Sequence, residues 1–426
     1  MYRKTRQLLG LSLLLITSFQ VTAQIDTAQH IATNHTNSIK QQKKPYVILI
    51  SADGFRHDYA KKYQATHLLA LGQSGVVAAS MIPGFPSVTF PNHYSIVTGL
   101  YPSHHGLVNN SFLDEKENER YSMGAKDKVK DGKWYGGTPL WVLAAQQEML
   151  SASMFWVSSE AEIKGMRPTY YYDYTEKIST DKRISEVKAW LSLPEAERPH
   201  LITFYVSEPD HAGHKYGPES SETEQAVKMV DSIIYKLTKA VDSTGLSVNF
   251  VFVSDHGMTS VDREHPIATP AAIDTSKYII ASSGTMMDIH AKNKADVLPL
   301  YQELKKSAQD YHVYLKRKMP AHLHYRTKDD RMNRIGDILL VPIWPKVFSN
   351  RKPGMGHHGF DPAVVKDMHA TFIAWGPAFK SNVEIPSFEN VHVYPLITSI
   401  LGLDNTDDID GKASALKSIL AVKPNL

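Results

Sequence analysis

Not one cysteine occurs among the 426 residues. Its absence removes disulfides, thiolate metal ligands and a cysteine nucleophile from consideration, so any bound metal must be held by nitrogen and oxygen. A chain of this length has core enough to do without disulfides, and in an exported protein the lack accords with a bacterial periplasm. An excess of one charge is lacking too. The 47 Lys and Arg against 44 Asp and Glu leave +3, without the basic field of a nucleic-acid-binding surface. Long hydrophobic runs are scarce. The stretch Leu8 to Phe19 follows Arg3, Lys4 and Arg6 and precedes the small residues of Val21-Thr22-Ala23. It is too short for a comfortable span and reads as a cleavable signal peptide over residues 1–23. A periplasmic or secreted protein is expected, with no transmembrane segment in the mature chain. Residues 24–43 are polar and read as a flexible leader. What is abundant is histidine, 20 residues in all, which points toward metal chemistry.

From Pro45 onward, continuous apolar runs recur: Tyr46–Ile50, Leu201–Val206, Val248–Val253 and Ala370–Trp375. Such runs are typical of strands buried on both faces. Helical spacing fills the intervals, for example Val227, Val230, Ile233, Ile234, Leu237 and Val241 after a capping box at Ser221-x-x-Glu224. Alternation of this kind predicts an α/β fold, an α/β/α sandwich with a mostly parallel central sheet. The stretch at about 262–351 differs in texture. Met287–Ala291, a helix near Leu298 to Ala308, Val313–Leu315 and Ile338–Val341 predict a small α+β insert capping a catalytic domain that spans 44–426.

Three of the apolar runs end on charged turns. Asp53-Gly54 follows the first, Glu208-Pro209-Asp210 with His214 the second, and Asp255-His256-Gly257 the third. In such sheets ligands bind beyond the carboxyl ends of the strands. His358 arrives from the glycine-rich Gly354-Met355-Gly356-His357-His358-Gly359, with His357 as a decoy beside it. Singly each piece has an ordinary explanation: a turn, a helix cap, a solvated loop. Jointly they supply three aspartates and three histidines, the inventory of a two-metal phosphoryl-transfer site. Thr89, in Pro86-Ser87-Val88-Thr89-Phe90-Pro91-Asn92, is the candidate nucleophile, a hydroxyl at a helix start. Read alone, it would be an N-cap.

The segments Thr89–Tyr94, Thr98–Pro102, Glu208–Pro218, Ser254–Met258 and His358–Asp361 resemble the nucleotide pyrophosphatase/phosphodiesterase family of the alkaline phosphatase superfamily. The likeness runs from about Tyr46 to Leu403. It implies two zinc ions, one held by Asp210, His214 and His358, the other by Asp53, Asp255 and His256 together with Thr89. It further implies attack by Thr89, a phosphothreonine intermediate and its hydrolysis. Asn110, next to Asn109, matches the asparagine that donates to a phosphate oxygen. Phe90 and Tyr174 match the aromatic pair that sandwiches a nucleobase. Pro362 stands where many relatives carry asparagine.

A zinc-dependent phosphodiesterase is therefore expected, hydrolysing nucleoside pyrophosphates and phosphodiesters to nucleoside monophosphates. Its partner is a small nucleotide or phosphodiester, and nothing in the sequence sets an oligomeric state. Two alternatives compete within the same chemistry: a phosphocholine-type lipid head-group phosphodiesterase, and a phosphomonoesterase using Arg56 as a phosphate clamp. An inactive binding protein on the same fold is the alternative of another class.

Overall fold

The computed structural model describes residues 26–32 and 36–421; the expected signal peptide lies outside the described residues. A nine-stranded sheet runs in the spatial order His30–Ile31, Tyr170–Tyr172, Ser151–Met154, Leu201–Val206, Tyr46–Ala52, Val248–Val253, Phe372–Trp375, Val76–Ala78, Val383–Ile385. From Tyr170–Tyr172 through Val248–Val253 all neighbours are parallel. Phe372–Trp375 runs against both of its neighbours, and His30–Ile31 against its one. The sheet is mostly parallel, as the alternation of strands and helices predicts.

Side chains along the central strands divide between two apolar layers. Val47 and Leu49 join one cluster, Ile48 and Ile50 the other, and Val251 and Phe252 divide likewise. Helices Thr66–Ser74, Thr180–Leu191 and Ser221–Asp242 cover one face; Thr89–Thr98, Leu140–Gln146 and Val393–Leu401 cover the other. Each fully buried aliphatic side chain contributes about 1.5–3 kcal/mol, which is why these strands carry no polar alternation. Register matters more for the site. Ser51 pairs with Val253 and Ala52 with Val206, so three strands end level and their following turns meet at one edge.

Two local expectations need correction. The long helix is capped by Ser220, whose Oγ accepts from the Thr223 N–H at 3.1 Å, not by Ser221. Ser220 has the extended backbone an N-cap requires, whereas Ser221 is already helical. The expected flexible leader is docked in its described part. His30–Ile31 pairs with Tyr170–Tyr171, and the buried Asn37 donates to Glu195 O and Arg198 O and accepts from Leu150 N. Polar residues dock here because loop backbone groups at the sheet's end take their hydrogen bonds.

The insert is a four-stranded antiparallel sheet, Tyr278–Ser282, Met287–Ala291, Ile338–Pro342 and Tyr311–Leu315, with helix Val297–Ser307 on it. Tyr278–Ser282, only partly buried, had no clear signature in the sequence. One side of the insert has its own core around Ile289, Leu300 and Leu304. Leu323, Tyr325, Ile335 and Leu339 from its other side join the main core. A two-residue antiparallel ladder, Thr259–Ser260 with Gly356–His357, closes its base. Among the described residues no helix is long and apolar enough to cross a membrane.

Candidate active site

Three carboxylates converge beyond the level strand ends. The Asp210 N–H donates to Asp53 O, and the Asp53 N–H to Val206 O, tying two of the turns together. Gly54 permits the approach: with φ +67°, a Cβ there would meet Asp210 Cα and Cβ at 3.0 Å. Asp255 Oδ1 accepts from Gly54 N and Ser254 Oγ, both at 3.2 Å. Asp53 Oδ2 accepts from the Tyr205 hydroxyl at 2.7 Å. One oxygen of each carboxylate, Asp53 Oδ1, Asp210 Oδ1 and Asp255 Oδ2, is buried and receives no hydrogen bond.

Three imidazoles face those oxygens with a common orientation. His214 Nδ1 donates to Gly356 O, His256 Nδ1 to Gly257 O and His358 Nδ1 to Ser87 O, at 2.8, 2.8 and 3.1 Å. A carbonyl can only accept, so each neutral ring presents an unprotonated Nε2 to the site. His358 Nε2 lies 3.0 Å from His214 Nε2. His256 Nε2 lies 2.9 Å from Asp255 Oδ2 and 3.6 Å from Asp53 Oδ1. Asp210 Oδ1 is 3.4 Å from His214 Nε2 and 3.6 Å from His358 Nε2. The His256 and His358 rings stack at 3.6 Å.

Electrostatics in this cluster are unbalanced. Burial, then the charges of Asp255 and Asp210, push Asp53 well above the usual carboxylate range. Burial also opposes charge on Asp255, yet His256 and His93 hold it well below that range. Burial opposes charge on His256, but Asp255 and Asp210 raise it. His358 is driven well down by burial and by His256 and His214. Orphaned oxygens facing converged lone pairs are costly unless a cation lies between them. Asp53, Asp255 and His256 offer one such ligand group, and Asp210, His256 and His358 another, with His214 beside it. The donor set, all nitrogen and oxygen, fits divalent metal ions.

Thr89 opens helix Thr89–Thr98, with Val88 as its extended N-cap. The hydroxyl is therefore no cap; Oγ1 sits 3.2 Å from His256 Nε2. Asn110 Oδ1 accepts from the Phe90 N–H at 2.9 Å, which leaves its amide N–H2 free to donate. Asn109 is buried, and its Oδ1 accepts from the Asn110 N–H. Thr89, Phe90, Met123, Trp156, Tyr174 and Tyr205 line one cavity of about 340 Å³ that also reaches Asp53 and Asp210. Lys126 and Lys130 are its cationic lining residues. Arg56 is turned away, held by Asp58, Glu219 and Met258 O, so the clamp wanted for a phosphomonoesterase does not come from it. His357 is not one of the converging ligands: its backbone pairs with Thr259, its ring meets His214 edge-on at 5.9 Å, and burial, with His214 assisting, pushes it down to about 4.

Two participants escaped the sequence. Tyr205, inside an apolar strand, reads as core, yet its hydroxyl fixes Asp53. His93, one turn into the helix, holds Ser51 Oγ at 2.8 Å and Thr89 O at 3.0 Å, with Nδ1 3.4 Å from Asp255. Its spacing of four from Thr89 was the available signal.

Known proteins resemble this chain in sequence and in fold. The family model described as type I phosphodiesterase/nucleotide pyrophosphatase matches residues 47–361. Ectonucleotide pyrophosphatase/phosphodiesterase family member 1 of Rattus norvegicus is 36% identical over 376 residues, covering 85% of this chain and 41% of that protein. A venom phosphodiesterase of Crotalus durissus collilineatus is 33% identical, covering 88% of this chain and 46% of its own. The chain thus spans less than half the length of these curated relatives. Murine ectonucleotide pyrophosphatase/phosphodiesterase 5 superposes with a TM-score of 0.82 at 28% identity, over 88% of this chain and 100% of that one. An inactive threonine-to-alanine variant of the murine protein, solved in complex with AMP, gives 0.83 at 27% identity, over 89% and 100%.

Proposed function

The chain belongs to the type I phosphodiesterase/nucleotide pyrophosphatase family, and on that premise we propose that it is a two-zinc phosphodiesterase releasing nucleoside monophosphates from nucleoside pyrophosphates and phosphodiesters. The observation that carries this is Thr89: an uncapped hydroxyl at a helix start, 3.2 Å from His256 and opening into the cavity that Phe90 and Tyr174 line. Asp210, His214 and His358 would hold one ion; Asp53, Asp255, His256 and Thr89 the other. When bound, the ions supply Lewis-acid stabilisation of charge on the attacking and leaving oxygens.

The protein's own residues carry the remaining work. Thr89 Oγ1 gives up its proton to solvent and bonds to phosphorus as the bond to the leaving oxygen breaks; the resulting phosphothreonine, still esterified to the nucleoside, is cleaved at phosphorus by water, which returns a proton to Oγ1. The free N–H2 of Asn110, held at its other end by Phe90 N–H, donates to a non-bridging oxygen where negative charge grows. The helix start at Thr89 favours the same charge. Phe90 and Tyr174 receive the base by stacking, which tolerates any base. Export to a periplasm or medium completes the proposal.

The test is hydrolysis of a chromogenic thymidine 5′-monophosphate ester, before and after chelation and after zinc is restored. ATP, a dinucleotide polyphosphate and a phosphocholine ester complete the panel. Zinc-dependent release of nucleoside monophosphate is expected. Preference for the phosphocholine ester would replace the nucleotide with a lipid head group, and no turnover with zinc bound would leave a binding protein.

A further inference from the structure

Arg334 belongs to the insert, yet its guanidinium is buried in the main domain at 2% exposure. Nε donates to Asp114 Oδ2 at 2.9 Å, and Nη1 to Gly106 O at 2.9 Å and Trp134 O at 2.7 Å. Nη2 donates to Lys133 O at 3.3 Å, and the group lies 5.2 Å from the centroids of both Phe112 and Trp134. Every one of these partners is outside the insert. Two of them, Gly106 and Asp114, bracket the segment that carries Asn110 at its middle.

The segment has been shaped around this side chain. Gly106 has φ +86°, and a Cβ there would meet Met332 Sδ at 2.2 Å and Arg334 Nη1 at 2.9 Å. A second insert residue grips the same stretch: the buried Tyr325 donates its hydroxyl to Val108 O at 2.8 Å. Between them, three points of the 106–114 segment are tied to the insert. Asn110 itself is tied to Phe90 and, through its carbonyl, to the Met123 N–H. An amide that must meet a transient charge needs a fixed backbone, because a donor displaced by about an ångström loses most of its effect.

We infer that Arg334 is a positioning residue through which the insert holds Asn110 in register with Thr89. The inference rests on the proposed role of Asn110 and gives the insert a part in the chemical step. A planar fork with separated donors is required, because one ammonium cannot reach Asp114, Gly106 and Trp134 together.

The experiment is a double-mutant cycle on the zinc-loaded enzyme with the chromogenic thymidine ester, read as kcat and KM separately. Asn110→Ala alone lowers kcat by roughly a hundredfold. Arg334→Lys alone lowers kcat at least about tenfold with little change in KM or zinc content, and in the Asn110→Ala background costs no more than about twofold. Amide exchange over residues 106–114 rises in Arg334→Lys. Tyr325→Phe, a milder change on the same segment, repeats the pattern at smaller amplitude and serves if Arg334→Lys does not fold. Equal losses in both backgrounds would make Arg334 merely structural and overturn the inference, as would an unchanged kcat in Arg334→Lys or Tyr325→Phe. If Asn110→Ala keeps full activity, the role of Asn110 fails first and the inference with it, while zinc-dependent turnover by Thr89 still stands.

Discussion

His358 Nε2 and His214 Nε2 stand 3.0 Å apart while both rings donate Nδ1 protons to backbone carbonyls. Two lone pairs so placed repel unless a cation joins them. Chelation should therefore lower the melting temperature by several degrees and zinc should restore it. A site filled at a hundredfold its dissociation constant contributes about 2.7 kcal/mol. Calorimetry of the stripped and reloaded protein checks this, and His358→Ala should lose most of the response.

Thr89→Ala should reduce turnover at least about a thousandfold, with zinc content and melting temperature nearly unchanged. Metal analysis beside single-turnover kinetics distinguishes a lost nucleophile from a lost site. Activity retained by the variant would refute covalent catalysis at this residue.

Tyr205→Phe removes the one side-chain donor to Asp53 Oδ2 among the described residues. Groups that orient a ligand from behind are worth about 10–100-fold in metal affinity. Zinc titration against a competing chelator should show a weaker ion, and activity should recover at high zinc.

Phe90 and Tyr174 face the same cavity. Alanine at either position should lower kcat/KM for nucleotide esters by roughly tenfold or more, yet barely affect a small diester that carries no base. Parallel losses on both substrates would show that the two rings support the fold rather than the base.

The insert should respond to pH. The hydrogen bond from His290 depresses Glu115 to about 2, with Lys294 assisting against burial. Burial lifts Asp288 to about 6, although His290 works against it. Burial opposes charge on His290, but Asp288 and Glu115 raise it. A depressed acid adds stability above its unfolded value, and that contribution vanishes as pH falls toward 2. Raised groups add stability at low pH and lose it as pH climbs, Asp288 through 6 and His290 above its unfolded 6.5. Amide exchange in Met287–Ala291, corrected for intrinsic rates, should be slowest near pH 4–5 and quicken toward neutrality. Asp288→Asn should flatten the upper limb.

The sequence made much of this protein legible because chemistry and hydrophobicity were written side by side. Asp53, Asp210 and Asp255 each follow a solid apolar run, and a parallel sheet makes such turns neighbours. Asn110 was harder to separate from Asn109, since only the packed loop shows that one carboxamide holds the other's N–H. Tyr205 stayed hidden because a tyrosine in a buried strand looks like filling until its hydroxyl is seen against Asp53. Arg334 left no trace at all. Its partners at 106, 114, 133 and 134 are some two hundred positions away, and no local pattern encodes them.

The short ladder between Thr259–Ser260 and Gly356–His357 has a consequence for the order of events in the cell. Asp255 and His256 lie just before the chain departs into the insert, and His358 lies just after it returns. A ribosome makes the first two long before the third exists. The proposed metal centre would thus be gated by synthesis: an ion could not find its full set of partners until the detour had been translated and its two ends brought together. A polypeptide stalled or cut within that detour would carry most of the catalytic alphabet and spell nothing with it.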